Sequence, residues 1–279
     1  MNEFSGRDAA IKYSKQSSLD SAITTKILNE LGKCYGEISD KDVKFQFMVD
    51  AGCGSGRSTR AFSPNFNSII GFDISSEQVK LAQEMELEEN VSYAVGNSDA
   101  FPCGDGSVDL VTSCFSLHFM DVTNFVGECE RVLKPKGMVA AYGFQISNIE
   151  MEDGAKDAKS GYGVFKELYF KPLTDYVKKI NHPQQHVSDR YQALYDGIDT
   201  KLQKWRDDEV KFKIRTSFKK FKEDEMTVPI FQKFSDSFSV NAYDRLFQKL
   251  NECWKIPHTA DKDVDVIITY SLFFIFMKK

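Results

Sequence analysis

The segment Asp50-Ala51-Gly52-Cys53-Gly54-Ser55-Gly56 sets three glycines at alternate positions behind an acid, directly after the apolar run Phe45, Phe47, Met48, Val49. A strand that ends in such a turn and leads into a helix presents backbone N–H groups to a ligand at the carboxyl edge of a sheet. Many nucleotide-like ligands use that geometry, so the glycine spacing has to discriminate among them. The dinucleotide pattern G-x-G-x-x-G is not met, because Arg57 and Ser58 stand where its third glycine would fall. A P-loop is excluded too, since no Gly-Lys-Ser/Thr follows at the required distance. Asp73 closes the next apolar run, about 20 residues further on, where an acid can accept both hydroxyls of a ribose. NAD and S-adenosylmethionine share that need. Asp50 separates them: a carboxylate beside the turn repels a pyrophosphate and suits a cation. S-adenosylmethionine carries a sulfonium and an ammonium and no phosphate, so the local physics favours it.

Other reactive side chains carry less. His182 and His186 stand at i, i+4, but Pro183 interrupts any helix there and no third ligand follows at familiar spacing, so a solvated loop and no metal are expected. The six cysteines, Cys34, Cys53, Cys103, Cys114, Cys129 and Cys253, are scattered without a C-x-x-C pair and read as reduced thiols. His118, just past the fourth apolar run, sits where a general base could reach a ligand. An imidazole that merely orders the loop is the other reading.

The elements that must position these residues alternate in type. Ser21 to Leu31 carries Ile23, Ile27, Leu28 and Leu31 at helical spacing. Strand-like runs cover Lys41 to Asp50, Ser68 to Asp73, Val91 to Gly96, Val108 to Ser113 and Met138 to Phe144. Between them, Ser75 to Gln78 has the spacing of a capping box, and Phe125, Val126, Cys129, Val132 and Leu133 share one side of a second helix. Lys134-Pro135-Lys136-Gly137 stops it. Such alternation implies a parallel sheet covered on both faces, and the right-handed crossover rule makes it doubly wound. From Gln145 to about Pro257 the rhythm breaks and the chain becomes more charged, as in a mainly helical cap. One strand is expected inside it, where Val210, Phe212, Ile214, Thr216 and Phe218 alternate with polar residues.

The chain has 279 residues, 42% hydrophobic and 28% charged, enough for a sizeable core. Its net charge of −5 argues against a main task of gripping nucleic acid or an anionic membrane. The basic residues between Lys201 and Lys222 read as the wet face of the alternating strand. Val264 to Met277 is apolar but too short for the roughly 20 residues of a spanning helix. Met1 to Tyr13 shows no secretory pattern, so a cytoplasmic protein is expected. The 23 phenylalanines exceed ordinary usage and could line a pocket or fill a core.

Five motifs in order give the chain a family resemblance over residues 40 to 144. Val49 to Gly56 resembles the first motif of class I S-adenosylmethionine-dependent methyltransferases, and Gly71-Phe72-Asp73-Ile74-Ser75 their second. Gly96-Asn97-Ser98-Asp99-Ala100-Phe101-Pro102 resembles the G-D-A-E-x-L-P segment beside the adenine, with Asn97 keeping the acceptor and losing the charge. Ser107 to Ser113 and Arg131 to Gly137 match the remaining landmarks. Weaker similarity points to the trans-aconitate methyltransferase-like subfamily. It rests on Leu117-His118-Phe119-Met120-Asp121, on Ala10 to Lys15, and on Glu225 to Val228 followed by Ser239 to Tyr243. Ser17-Ser18-Leu19-Asp20-Ser21 replaces that subfamily's R-P-x-Y-P, and Phe119 and Val240 replace tryptophans. These positions lie near the substrate in such a fold, so acidic substrates do not carry over.

The resemblance implies a doubly wound, seven-stranded, mostly parallel sheet with a helical cap. Residues 1–40 would cover the site, 41–145 bind the cofactor, 146–257 form the cap and 258–279 complete the sheet. S-adenosyl-L-methionine would lie against Tyr13, Asp50, Ala51, Gly52, Gly54, Gly56, Asp73, Ile74, Asn97, Ser98, Cys114 and Phe115. The implied reaction is in-line methyl transfer to an oxygen or nitrogen of a small molecule. His118 is the candidate base, and Phe119, Tyr162, Tyr195 and Trp205 are the candidate acceptor contacts. A monomer without nucleic-acid or membrane partners is expected. A nicotinamide oxidoreductase, a non-catalytic cofactor-binding regulator and a protein methyltransferase stay open as alternatives.

Overall fold

Alternation of apolar runs with amphipathic segments produces alternating strands and helices, as periodicity demands. The computed structural model describes residues 18–36, 44–151, 159–225, 233–234, 242–254 and 264–279. Five strands come first: β1 (Phe45–Ala51), β2 (Phe66–Asp73), β3 (Val91–Val95), β4 (Val108–Cys114) and β5 (Leu133–Met151). They are joined in parallel, in the order β3-β2-β1-β4-β5. β8 (Asp265–Lys278) runs antiparallel along β5 from Met138↔Lys278 to Met151↔Val266. The outer edge of β8 is shared by β6 (Gln203–Asp207) and β7 (Lys211–Ser217), which occupy successive halves of it.

The sheet therefore has eight strands rather than seven. β7 is the alternating strand anticipated from sequence, with Lys211, Lys213 and Arg215 exposed. β6 was not anticipated, because Lys204, Arg206 and Asp207 break any apolar pattern. β5 also continues to Met151, beyond the expected end at Phe144, since its polar residues Gln145, Asn148 and Glu150 find ladder partners on β8.

Both faces are covered. On one lies α1 (Ser18–Tyr35), which buries Ile23, Ile27 and Leu31 with Met48, Met138 and Phe274. α2 (Arg57–Arg60) is a single turn after the glycine loop. α3 (Ser76–Glu84) adds Val79 and Ala82 to that face, and Ser75 Oγ caps it by accepting from the Gln78 N–H at 3.3 Å, as the capping-box spacing predicts. The opposite face holds α4 (Val122–Val132), whose Phe125, Cys129 and Val132 meet Val49, Val111 and Val139. Burying this many aliphatic and aromatic side chains at about 1.5–3 kcal/mol each supplies the main driving force for the layers.

Asp109, 4% exposed, ties the layers together. Its carboxylate accepts from Tyr35 Oη at the end of α1, from the Gln46 and Phe47 N–H groups of β1, and from Lys134 Nζ on β5.

The far ends of β5, β7 and β8 carry a third apolar cluster. Ile149, Val266 and Ile268 meet Phe165 and Tyr169 from the helical stretch Lys159–Lys179 (α5, Lys159–Phe165, a π turn, and α6, Lys171–Lys179). Phe221 of α9 (Phe218–Glu225) and Phe247 and Leu250 of α10 (Ala242–Trp254) complete it. Between α6 and β6, α7 (Gln185–Ser188) and α8 (Gln192–Gly197) pack Val187 and Tyr191 onto the α4 face. Much of the phenylalanine surplus is thus core. Among the described residues, Asp20, Ile23 and Thr24 in the first turns of α1 face the carboxyl ends of β1, β2 and β4 across one cavity.

Candidate functional site

The glycine turn after β1 is held down by its own backbone. The Gly52 and Cys53 N–H groups both donate to Phe72 O, at 2.8 and 3.0 Å. Gly52, Gly54 and Gly56 all have left-handed φ, which any side chain would strain. A Cβ at Gly56 would stand 2.3 Å from Tyr93 Oη, so this glycine is required by packing. Gly54 differs: a Cβ there would meet nothing closer than Gln78 Oε1 at 3.9 Å, so space remains open above it.

Asp50 is fully buried under the turn and does not reach the open space. Its carboxylate accepts from Thr112 Oγ1 of β4 at 2.7 Å and from Thr59 Oγ1 and Ser58 Oγ of the α2 turn at 2.6 and 3.0 Å. Burial raises its pKa, and the three hydroxyls oppose that rise. The expectation of direct contact between Asp50 and a cationic ligand is corrected accordingly: this carboxylate clamps the turn to β4. Ala51, with no exposed surface, and Gly56 also lie outside the cavity wall.

Asp73 does face the opening. One of its oxygens accepts from the Gly54 N–H and the other from the Ser75 N–H, each at 2.9 Å. A carboxylate offers about four lone-pair directions, so capacity is left for a diol. Burial raises the Asp73 pKa against the opposing pull of the backbone N–H groups of Ser75, Gly54 and Ile74. Ile74 beside it is 77% exposed, an unusual state for an isoleucine, and with Asn97 and Ser98 after β3 it walls one end of the cavity.

At the other end, β4 and β5 contribute Cys114, Phe115, Tyr142 and Phe144. Phe115 is held at φ 51°, a conformation that costs about 1–3 kcal/mol in a non-glycine residue and persists only where its surroundings impose it. Here its ring packs edge-on against Phe144 at 4.7 Å, and its N–H is fixed to Tyr142 O at 2.9 Å. Phe119 and Met120 enter from the turn Leu117–Phe119 and its C-cap. Burial pushes the Cys114 thiol up to about 12 and holds the Tyr142 phenol well above its usual value, so both stay protonated at neutral pH. Across the opening, α1 brings Asp20, Ile23 and Thr24. Arg57 Nε and Nη2 donate to the two Asp20 carboxylate oxygens at 3.2 Å each. Together these residues enclose one continuous cavity of about 640 Å³.

His118 is not part of its wall. The ring is 6% exposed, with Nδ1 2.7 Å from Tyr191 Oη and Nε2 3.1 Å from Gln184 Oε1. The structure thus gives both nitrogens partners in the cap, and the ring lies 4.2 Å from that of Phe119. Of the other expected acceptor contacts, Phe119 lines the cavity and three do not. Tyr162 packs on the third core cluster, Tyr195 lies beneath Lys204 at 4.7 Å, and Trp205 stacks on Phe276 at 5.3 Å. Tyr13, Ala10–Lys15, and positions 226–228 and 239–241 lie outside the described residues. Sequence reading missed Asp20, Arg57, Tyr142 and Phe144. The last two share one side of β5 two residues apart, and that spacing could have revealed them. The ion pair joins residues far apart in sequence and left no local signal.

Residues 49–141 match the model of the methyltransferase domain family. This is a class I S-adenosylmethionine-dependent methyltransferase domain. Among its relatives, the uncharacterised methyltransferase YcgJ of Bacillus subtilis is 37% identical over 94 residues, 32% of this chain and 37% of YcgJ. CRG1 of Saccharomyces cerevisiae, named as a probable S-adenosylmethionine-dependent methyltransferase, is 24% identical over 250 residues, 83% of this chain and 85% of CRG1. A solved structure from Anaeromyxobacter dehalogenans, assigned as a type II methyltransferase, matches with a TM-score of 0.66 at 18% identity. It covers 89% of this chain and 94% of the other, and it shows that the fold is shared. Against three curated relatives the chain spans about half of their length or less, 51%, 37% and 36%.

The methyltransferase domain fits its family's cofactor on its own evidence. Asp73 keeps acceptor capacity, and the space above Gly54 is open. Ser55 Oγ and Thr24 Oγ1, on residues of the cavity wall, are buried without a hydrogen-bond partner. S-adenosylmethionine is thus the cofactor of this domain.

Proposed function

We propose that the protein transfers a methyl group from S-adenosylmethionine to an oxygen or nitrogen of a small-molecule acceptor. One observation carries the reading: Asp73, with lone pairs left for a diol, and the aromatic end of β4 and β5 open into the same cavity. The cofactor supplies an electrophilic methyl on a sulfonium. Asp73 and the Gly52–Ser55 turn fix its orientation, while Phe115, Phe119 and Phe144 exclude water and align the acceptor. Two relatives support a small acceptor. Ajmaline N-methyltransferase of Rauvolfia serpentina is 36% identical over 106 residues, and tocopherol O-methyltransferase of Arabidopsis thaliana is 34% identical over 106 residues.

The same reading takes the protein as a cytoplasmic monomer without nucleic-acid or membrane partners. Among the described residues no helix is long and apolar enough to cross a membrane. Labelled methyl transfer to a small-molecule panel tests the proposal, and absence of any product would defeat it.

His118 acts in this reading as a positioning residue, holding the Phe119 turn against Tyr191 and Gln184. Changing His118 to Asn is expected to raise the acceptor KM severalfold while the pH–rate profile keeps its shape. A profile that loses its acid limb would restore the imidazole as general base.

Asp73 also sets a pH dependence. Because its pKa is raised, it takes up a proton at higher pH than an ordinary aspartate and stops accepting from the ribose hydroxyls. Affinity for S-adenosylhomocysteine is therefore expected to fall on acidification, and to do so at a higher pH than an ordinary aspartate would impose, as calorimetry would record.

A further inference from the structure

We infer that the acceptor is a small apolar amine, held with its nitrogen between the Asp20 carboxylate and the rings of Phe115, Phe119 and Phe144. This rests on the methyl-transfer reading above.

Strand order fixes the direction of the cavity. The ribose site is at the end of β2, the adenosine wall lies outward at β3, and the reactive end must therefore lie the other way, over β4 and β5. Asp20 belongs to that end, because α1 lies over β5 with Ile23 in one cluster with Cys114, Tyr142 and Phe144, and Asp20 lines the cavity one turn before it.

The described part of the wall argues against the common alternatives. Among the described lining residues there is one cationic side chain, Arg57, and it is engaged by both Asp20 oxygens. Four aspartates line the same cavity, so a carboxylate acceptor would enter an anionic enclosure. A neutral hydroxyl needs a base. Cys114 and Tyr142 are protonated there, and His118 lies outside the wall with both ring nitrogens engaged. Asp20 itself is a carboxylate held by Arg57 and a weak base for a hydroxyl, whereas an ammonium that gives one proton to solvent becomes an amine that attacks unaided.

Its nitrogen lone pair forms the new N–C bond while the electron pair of the breaking S–C bond stays on sulfur. Any remaining N–H proton of the product ammonium then passes to solvent. Positive charge grows on nitrogen during this step, which is where an anion and aromatic faces lower the barrier. Arg57 holds Asp20 in place, and each Asp20 oxygen keeps a lone pair for the ligand.

The test is calorimetric titration of the S-adenosylhomocysteine-loaded protein with benzyltrimethylammonium, its uncharged tert-butyl isostere and a benzoate of similar size. A panel of apolar amines, phenols and carboxylates is assayed for labelled methyl transfer in parallel. The expected result is an affinity for the ammonium about tenfold above the isostere, no binding of the benzoate and turnover of amines. Changing Asp20 to Asn should remove most of that preference with S-adenosylhomocysteine binding retained, and Asp20→Glu should restore part of it. Phe119→Leu, which leaves the ion pair intact, should reduce it as well. Equal affinity for ammonium and isostere, tighter benzoate binding, or turnover confined to phenols or carboxylates would overturn the inference while leaving the methyl-transfer reading standing. Failure to bind S-adenosylhomocysteine would overturn both.

Discussion

Replacing Asp73 by Ala is expected to weaken S-adenosylhomocysteine binding by at least about a hundredfold, a loss measurable by calorimetry. Hydrogen bonds to a charged acceptor contribute roughly 1.5–3 kcal/mol each, and a ribose diol makes two. The substitution also removes the anchor of the Gly54 N–H, so the open floor of the cavity loses its fixed position. Asp73→Asn separates the two effects: its single oxygen can still hold one backbone N–H, and its binding loss should be intermediate. Asp73→Ala also strands the Gly54 and Ser75 N–H groups, so some thermal stability is lost with it, and Asp73→Asn, which keeps one acceptor, should lose less. Unchanged affinity in Asp73→Ala would place the ribose elsewhere.

Changing Asp50 to Ala should act on stability instead. Three hydroxyls lose their acceptor, and Thr59 and Thr112 have no exposed surface through which water could replace it. Stranding buried donors costs about 1–3 kcal/mol each, so a loss of roughly 4 kcal/mol is expected. For a domain of this size that corresponds to a fall in Tm of about 10 °C. Asp50→Asn should lose about half as much, since the hydroxyls can accept from the new amide. Without the clamp to β4, the glycine turn would be held to β2 alone, by Phe72 O and the Asp73 carboxylate. A melting temperature within a degree of the parent would remove Asp50 from its clamping role.

What sequence revealed of this molecule was what local chemistry encodes. The glycine turn, the acid closing β2 and the Ser75 cap each depend on a few neighbouring residues, and each took its expected form. The same holds for the central strands and the amphipathic faces of α1 and α4. Long-range outcomes were hidden. Tyr162, Tyr195 and Trp205 were plausible pocket residues because they are aromatic, yet each was drawn into packing by partners far along the chain. Trp205 lies on Phe276 because β6 pairs with β8, and nothing in the polar sequence of β6 announces that pairing. Asp50 was read as a ligand contact because its charge was visible from sequence and its burial was not. His118 occupies the anticipated turn, but the Tyr191 and Gln184 that engage its nitrogens come from the cap, some 70 residues away in sequence. The Asp20–Arg57 pair joins α1 to the turn after the glycine loop and became visible only when both reached the same cavity.

The most direct measurement is titration of the purified protein with S-adenosylhomocysteine, with NADH titrated under the same conditions. The geometry predicts saturable binding of one S-adenosylhomocysteine per chain and no heat from NADH. Saturable NADH binding, with none for S-adenosylhomocysteine, would contradict it.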